Sequence, residues 1–148
     1  VFVNPTKEEV LNKAKMHSLD FIQLHGDESS EFCGQISMYY PVIKAFGVDE
    51  NFEMHMLENY SESCKYFLFD TKTKQYGGSG KKFNWAKLDE YQGSTSFFLS
   101  GGIALEDAPE ILNVQHPMLI GIDINSAFET EPGFKNIELI KQMKQIVQ

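Results

Sequence analysis

Six short runs of β-branched and aromatic residues alternate along the chain with stretches of helical spacing, and this alternation constrains the fold more than any other feature. The runs cover residues 1–4, 21–25, 42–48, 66–71, 97–100 and 119–125, and their composition predicts strands. Between them, residues 7–17 place Val10, Leu11 and Ala14 on one helical face, and residues 28–38, 50–59 and 105–112 read as further helices. Glu106 and Asp107 suit the first turn of the last of these, and Pro109 falls early enough to be tolerated. The chain closes on the helical series Ile137, Ile140, Met143 and Val147. Strands separated by helical crossovers imply a parallel sheet, either doubly wound or closed into a barrel.

Composition limits how that sheet is used. With 148 residues, 42% of them hydrophobic, the chain can bury one substantial core, so residues 1–148 read as a single domain. Thirteen basic against 21 acidic residues give a formal charge of −8, which argues against partners such as nucleic acid or an anionic membrane. A small phosphorylated ligand stays possible, because loop amides and a helix N-terminus hold phosphate without basic side chains. The two cysteines, Cys33 and Cys64, are too few and too far apart in sequence for a disulfide framework or a zinc site, so no metal is expected and a reducing, cytoplasmic compartment is. No apolar run approaches the ~20 residues of a membrane span, and no signal-like segment stands at the start. The opening Val1-Phe2-Val3-Asn4 reads as the inside of a strand from a longer protein.

Side chains alternate across a strand, which sorts the polar residues. In Phe21-Ile22-Gln23-Leu24-His25, Gln23 and His25 share one face and Ile22 and Leu24 the other. In residues 119–125 the three isoleucines make one face, and Gly121, Asp123 and Asn125 the other. Asp70 and Asn4 close their strands in the same way. Taken singly, each of these polar residues reads equally well as a turn or cap. Together, Asn4, His25, Asp70, Asp123 and Asn125 are expected to converge, because parallel α/β sheets bind ligands outside the carboxyl ends of their strands. Ser100-Gly101-Gly102-Ile103 and Asn125-Ser126-Ala127-Phe128 leave consecutive strands with small residues whose N–H groups suit a phosphate.

Five segments carry a resemblance: Gln23-Leu24-His25-Gly26-Asp27-Glu28, Phe69-Asp70-Thr71, residues 76–85, Leu99-Ser100-Gly101-Gly102-Ile103, and Gly121-Ile122-Asp123 followed by Pro132-Gly133. In order and spacing they resemble phosphoribosylanthranilate isomerase across the whole chain. The resemblance implies an α/β fold of the (βα)8 TIM-barrel family, here an incomplete barrel covering strands three to eight. It implies an Amadori rearrangement with neither metal nor organic cofactor, in which Asp70 is the general acid. Gly101, Gly102, Ser126 and Ala127 match phosphate-binding loops, and Asp123, His25 and Gln23 match positions lining the substrate. The relatives often have Ser-Ser-Gly where this chain reads Asn125-Ser126-Ala127.

The family's general base, a cysteine of its first strand, has no counterpart here, and neither has an arginine from the loop after the second strand. Cys33 and Cys64 read as packing residues. The 148-residue chain is therefore expected to be inactive alone and, with unpaired sheet edges near residues 1–4 and 121–124, either to self-associate or to be missing a segment that covers them. His25 reads as a positioning group rather than a reacting one, and the glycine-rich loop 77–80 as a cover over the substrate or simply a flexible turn. Two alternatives stay open: a barrel that binds phosphosugars without catalysis, and another phosphate-binding barrel enzyme such as indole-glycerol-phosphate synthase. The latter calls for strand-end lysines, and only Lys44 qualifies.

Overall fold

A computed structural model describes residues 1–72 and 82–147. The loop 77–80 and most of the glycine-rich motif around it lie outside these residues. The element order is α1 (Lys7–Met16), β1 (Ile22–Leu24), α2 (Ser30–Ser37), β2 (Val42–Val48), a 3-10 segment (Met54–Tyr60), β3 (Tyr66–Thr71), a second 3-10 segment (Trp85–Glu90), β4 (Phe97–Leu99), α3 (Ala108–Asn113) and β5 (Leu119–Ile122). A small hairpin of β6 (Glu129–Glu131) and β7 (Phe134–Lys135) and a final helix α4 (Ile137–Val147) complete the chain.

Strands β1 to β5 form one sheet in sequence order, every pairing parallel. Each crossover thus moves the chain one strand along the sheet, as in a (βα) barrel. The local reasons are ordinary. Thr6 caps α1 by accepting from the Glu9 N–H, with Glu8 and Glu9 in the first turn and Lys13 and Lys15 in the last. Ser29 caps α2 by accepting from the Phe32 N–H.

Register divides the sheet into two faces. Ile22 lies beside Val42, Lys44 beside Phe67, Phe46 beside Phe69, and Phe69 beside Leu99, so these residues share the face covered by helices. Ile22, Leu24, Val42, Phe67, Phe69, Phe97 and Leu99 have no exposed surface there. Phe69 and Phe97 sit 4.7 Å apart between ring centroids, with Tyr91 set edge-on to both. The Tyr91 hydroxyl is satisfied locally: it donates to the Thr95 carbonyl at 2.9 Å and accepts from the Thr95 N–H at 3.1 Å. The opposite face carries Gln23, Ile43, Gly47, Asp70, Phe98 and Gly121, none of them buried, around a small buried centre of Ala45 and Leu68.

Several sequence expectations change. Residues 1–4 form no strand beyond a single parallel bridge from Phe2 to Leu24; Asn4 turns to a φ of 48° and Pro5 follows without an N–H to donate. The helix expected over 50–59 is a 3-10 segment whose N-cap, Glu53, makes no side-chain cap. The helix expected over 105–112 begins as a 3-10 turn, Leu105–Asp107, before α3. Between β4 and β5 an irregularity at Phe97/Phe98 skips Ile120, so the three isoleucines do not share one environment: Ile122 and Ile124 pack on the core while Ile120 is 47% exposed. The hairpin turns at Pro132-Gly133, where Gly133 has a φ of 86°.

Candidate active site

The rim at the carboxyl ends of the strands gathers most of the expected polar residues, in separate groups. Gln23 and His25 share the open face of β1 and its end. The Gln23 amide nitrogen is 3.1 Å from His25 Nδ1, and His25 Nε2 is 3.1 Å from Asp70 Oδ2. An NH2 group can only donate, so Nδ1 accepts, and the imidazole in this arrangement is the Nε2–H tautomer donating to Asp70. Asp70 Oδ1 accepts from the Thr71 N–H at 2.8 Å. His25 and Asp70 keep 30% and 29% of their side-chain surface, so the pair faces solvent while being held from behind.

The turn after β4 abuts this pair. Gly101 has a φ of 96° and Gly102 of 69°. A Cβ on Gly101 would sit 2.4 Å from the Thr71 amide nitrogen and 2.8 Å from Asp70 Oδ1, so only glycine fits. Thr71 fastens the turn by donating its hydroxyl to the Gly101 carbonyl at 3.3 Å while accepting from the Phe83 N–H at 3.2 Å. Next along the rim, the buried Ser100 hydroxyl donates to Asp123 Oδ2 at 3.1 Å, and the Asp123 N–H continues the ladder to the Leu99 carbonyl at 2.8 Å. Just beyond, the exposed Ser126 and Ala127 open a 3-10 turn, Ser126–Phe128, that Phe128 anchors in the core.

Two of the five strand-end residues leave the group. The Asn4 carboxamide accepts from the Asp27 N–H at 2.7 Å and braces the turn after β1. Asn125 accepts from Lys135 of the hairpin, which also pairs with Glu129. That pairing holds the Glu129 carboxyl below its ordinary value. Lys44 does not reach the rim: it is buried on the helix-covered face against Glu28. The lysine that would have served a synthase-type chemistry is thus turned away from the site.

The cysteines sit where packing residues would, buried in the core. The fold brings Cys33 of α2 and Cys64, just before β3, close enough to influence each other, both thiols free. The neighbouring Cys64 thiol pulls Cys33 below the ordinary thiol value, and the Cys33 thiol together with burial pushes Cys64 well above it. Cys64 lies at the amino end of β3 and Cys33 in the helical layer, away from Asp70 at the strand's carboxyl end, so neither stands where a base for this site would be. Among the described residues, no group of three or more His, Cys, Asp or Glu side chains could hold a metal ion. None of the described helices is long and apolar enough to cross a membrane.

A parallel βα sheet with a histidine–aspartate pair and a glycine turn on its carboxyl rim defines a barrel-type α/β architecture. The sequence model of the N-(5'-phosphoribosyl)anthranilate (PRA) isomerase family matches residues 1–146. The chain belongs to this family. An N-(5'-phosphoribosyl)anthranilate isomerase of Parabacteroides distasonis is 47% identical over 146 residues, covering 98% of this chain and 66% of that protein. One of Thermotoga maritima is 39% identical over 142 residues, covering 95% and 67%. The crystal structure of the phosphoribosyl anthranilate isomerase from Thermus thermophilus superposes with a TM-score of 0.82 at 30% identity, over 99% of this chain and 69% of that one. Another isomerase, solved in complex with reduced 1-(o-carboxyphenylamino)-1-deoxyribulose 5-phosphate, has a TM-score of 0.78 at 31% identity, over 99% and 68%. The chain thus spans about two thirds of the length of these relatives.

Proposed function

We propose that the carboxyl rim serves the Amadori rearrangement of N-(5'-phosphoribosyl)anthranilate to 1-(2-carboxyphenylamino)-1-deoxyribulose 5-phosphate, a step of tryptophan biosynthesis. Asp70 is the general acid in this reading. It protonates the ribose ring oxygen, the ring opens to an imine-like cation, and loss of the C2′ proton to a base gives an enolamine that becomes the ketone. The observation that carries the reading is the His25–Asp70 contact at 3.1 Å, open to solvent beside the Gly101 turn, in a chain of this family. Gln23 and His25 orient the carboxyl group. Gly101, Gly102, Ser126 and Ala127 hold the phosphate through backbone N–H groups, and Asp123, steadied by Ser100, lines the sugar.

The base of this reaction is the family's first-strand cysteine, which the resemblance assigns to a part of the barrel ahead of the six strands predicted here. The chain then corresponds to the third through eighth βα units of a cytoplasmic enzyme, folded as one domain, and by itself turns over no substrate. Its sheet edges, at Phe2 and at β5, are free to self-associate.

The test is a fluorescence assay for loss of phosphoribosylanthranilate, run on the full-length protein and on the 148-residue chain. Turnover is expected in the full-length protein only, falling by about 10²–10⁴-fold on Asp70→Asn. Full activity of the 148-residue chain would overturn the assignment of the base. Binding of a reduced product analogue without any turnover by the full-length protein would mean a phosphosugar-binding barrel instead.

A further inference from the structure

Lys44 stands in the middle of the apolar run Val42-Ile43-Lys44-Ala45-Phe46, on the face of β2 that the helices cover. Its side chain and that of Glu28 each retain only 3% of their surface, and Nζ lies 3.2 Å from Glu28 Oε2. A buried ion pair is seldom kept for stability alone, because apolar residues of similar volume do as well or better. What this pair holds is therefore informative. The ammonium donates to the Gly26 carbonyl at 2.8 Å and the Ala45 carbonyl at 2.8 Å, with the Leu24 carbonyl at 3.5 Å. The Glu28 carboxylate accepts from the Gly26 N–H at 2.9 Å and, through Oε1, from the Asn4 N–H at 2.8 Å. Asn4 in turn accepts from the Asp27 N–H. Apart from the bond to Ala45, which stays within β2, these bonds end on the backbone on either side of His25, at Leu24 and Gly26, or on the neighbouring segment at Asn4 that braces it. Gly26 is packed so tightly into the arrangement that a Cβ there would lie 2.4 Å from Asn4 Oδ1.

We propose that Lys44 and Glu28 are a buried positioning pair that fixes the turn from Leu24 to Glu28, and with it the His25 imidazole against Asp70. The pair lies behind the sheet and touches no reacting atom; it acts by removing the freedom of the one turn whose side chain contacts the acid. A positioning error of about an ångström at a reacting group can cost roughly a hundredfold in rate. The functional part of the inference rests on the reading of Asp70 and His25 as the reacting site.

The experiment uses the full-length protein with Glu28→Gln, which keeps an acceptor for the two amides but removes the charge, and with the double substitution Lys44→Met/Glu28→Leu, which leaves no buried charge unpaired. Amide hydrogen exchange at Asn4 and Gly26, the ring 15N resonances of His25, and kcat and KM are measured for each. In both variants the Asn4 and Gly26 amides are expected to exchange about tenfold faster or more. The His25 ring resonances move, and kcat falls by about tenfold to a hundredfold while KM stays within about twofold, since the phosphate turns are held by other residues. A double variant that melts like the parent and keeps its kcat and its His25 resonances would overturn the proposal and leave the pair a packing feature. If the parent shows no turnover, the isomerase reading fails by itself. The exchange rates and the His25 resonances then decide the positioning role: unchanged values overturn it and changed values support it.

Discussion

The two faces of the one sheet follow different rules. On the helix-covered face, Phe67, Phe69, Phe97 and Leu99 are sealed from solvent, and the single charge among them, Lys44, is met by four oxygens. On the open face, Gln23, His25 and Asp70 satisfy one another in a line and stay accessible, while Tyr66 and Phe98 stack edge-on at 5.6 Å without being buried. The covered face thus carries most of the hydrophobic burial of the sheet, with only Ala45 and Leu68 buried opposite, and the open face carries polar groups that stay accessible. Accessible polar groups and sealed apolar ones are separated by the thickness of one strand. The same chain segments serve both, because alternate residues point opposite ways.

That separation can be broken in graded steps. The largest effect is expected for Asp70→Asn, which should lower kcat/KM of the full-length protein by about 10²–10⁴-fold while the thermal midpoint stays within a few degrees. Loss of fold along with activity would show that the open face also bears structural load. Phe69→Ala, one β3 position earlier and on the covered face, should do the reverse. It is expected to cost about 3–5 kcal/mol by urea unfolding, enough to leave a marginal domain largely unfolded. Phe98→Ala in the 148-residue chain should cost less than half of that, because the ring is only partly buried; equal losses would mean that the two faces are equivalent in packing.

Gly101→Ala sits on the boundary between the faces. A methyl group at a φ of 96°, jammed against the Thr71 backbone, should cost about 1–3 kcal/mol and raise KM, readable by denaturation together with steady-state kinetics. The smallest expected effect lies at the rim, where Lys72 at 2.9 Å holds the Asp49 carboxyl below its ordinary value. A depressed folded-state value stabilises above the unfolded carboxylate value, and the contribution is lost as pH falls through the folded one. Asp49→Asn should therefore cost at most about 0.5–1 kcal/mol near neutrality, and the gap to the parent should close in acid.

How much of this was legible beforehand depended on the kind of residue. The strands over 42–48 and 66–71 and the helix starting at Lys7 stand where pattern and capping put them, because each is long or sharply bounded. The strand expected over 1–4 failed because Asn4 leaves extended geometry and Pro5 follows it. The Pro132-Gly133 pair was visible only as part of a motif, although as a turn signal it marks the hairpin that was missed. Within the site, His25 and Asp70 do meet, while Asn4 and Asn125 were drawn off by partners that no strand-end rule reveals, the Asp27 amide and Lys135. The Lys44–Glu28 pair carried one readable signal, a lysine inside an apolar strand run, which demands a buried counter-charge.

Periodicity and end signals are local, and they alone determined the alternating βα order, the strand face on which Gln23, His25 and Asp70 would lie, and the family to which those motifs belong. Only the tertiary structure decided which strand ends touch. It also decided that Lys44 turns inward, that the two cysteines meet behind the sheet, and that Gly101 closes on Asp70. Those outcomes depend on register between strands and on the depth of packing beneath them, which are set by contacts between residues up to 45 positions apart and leave no periodic trace in the chain.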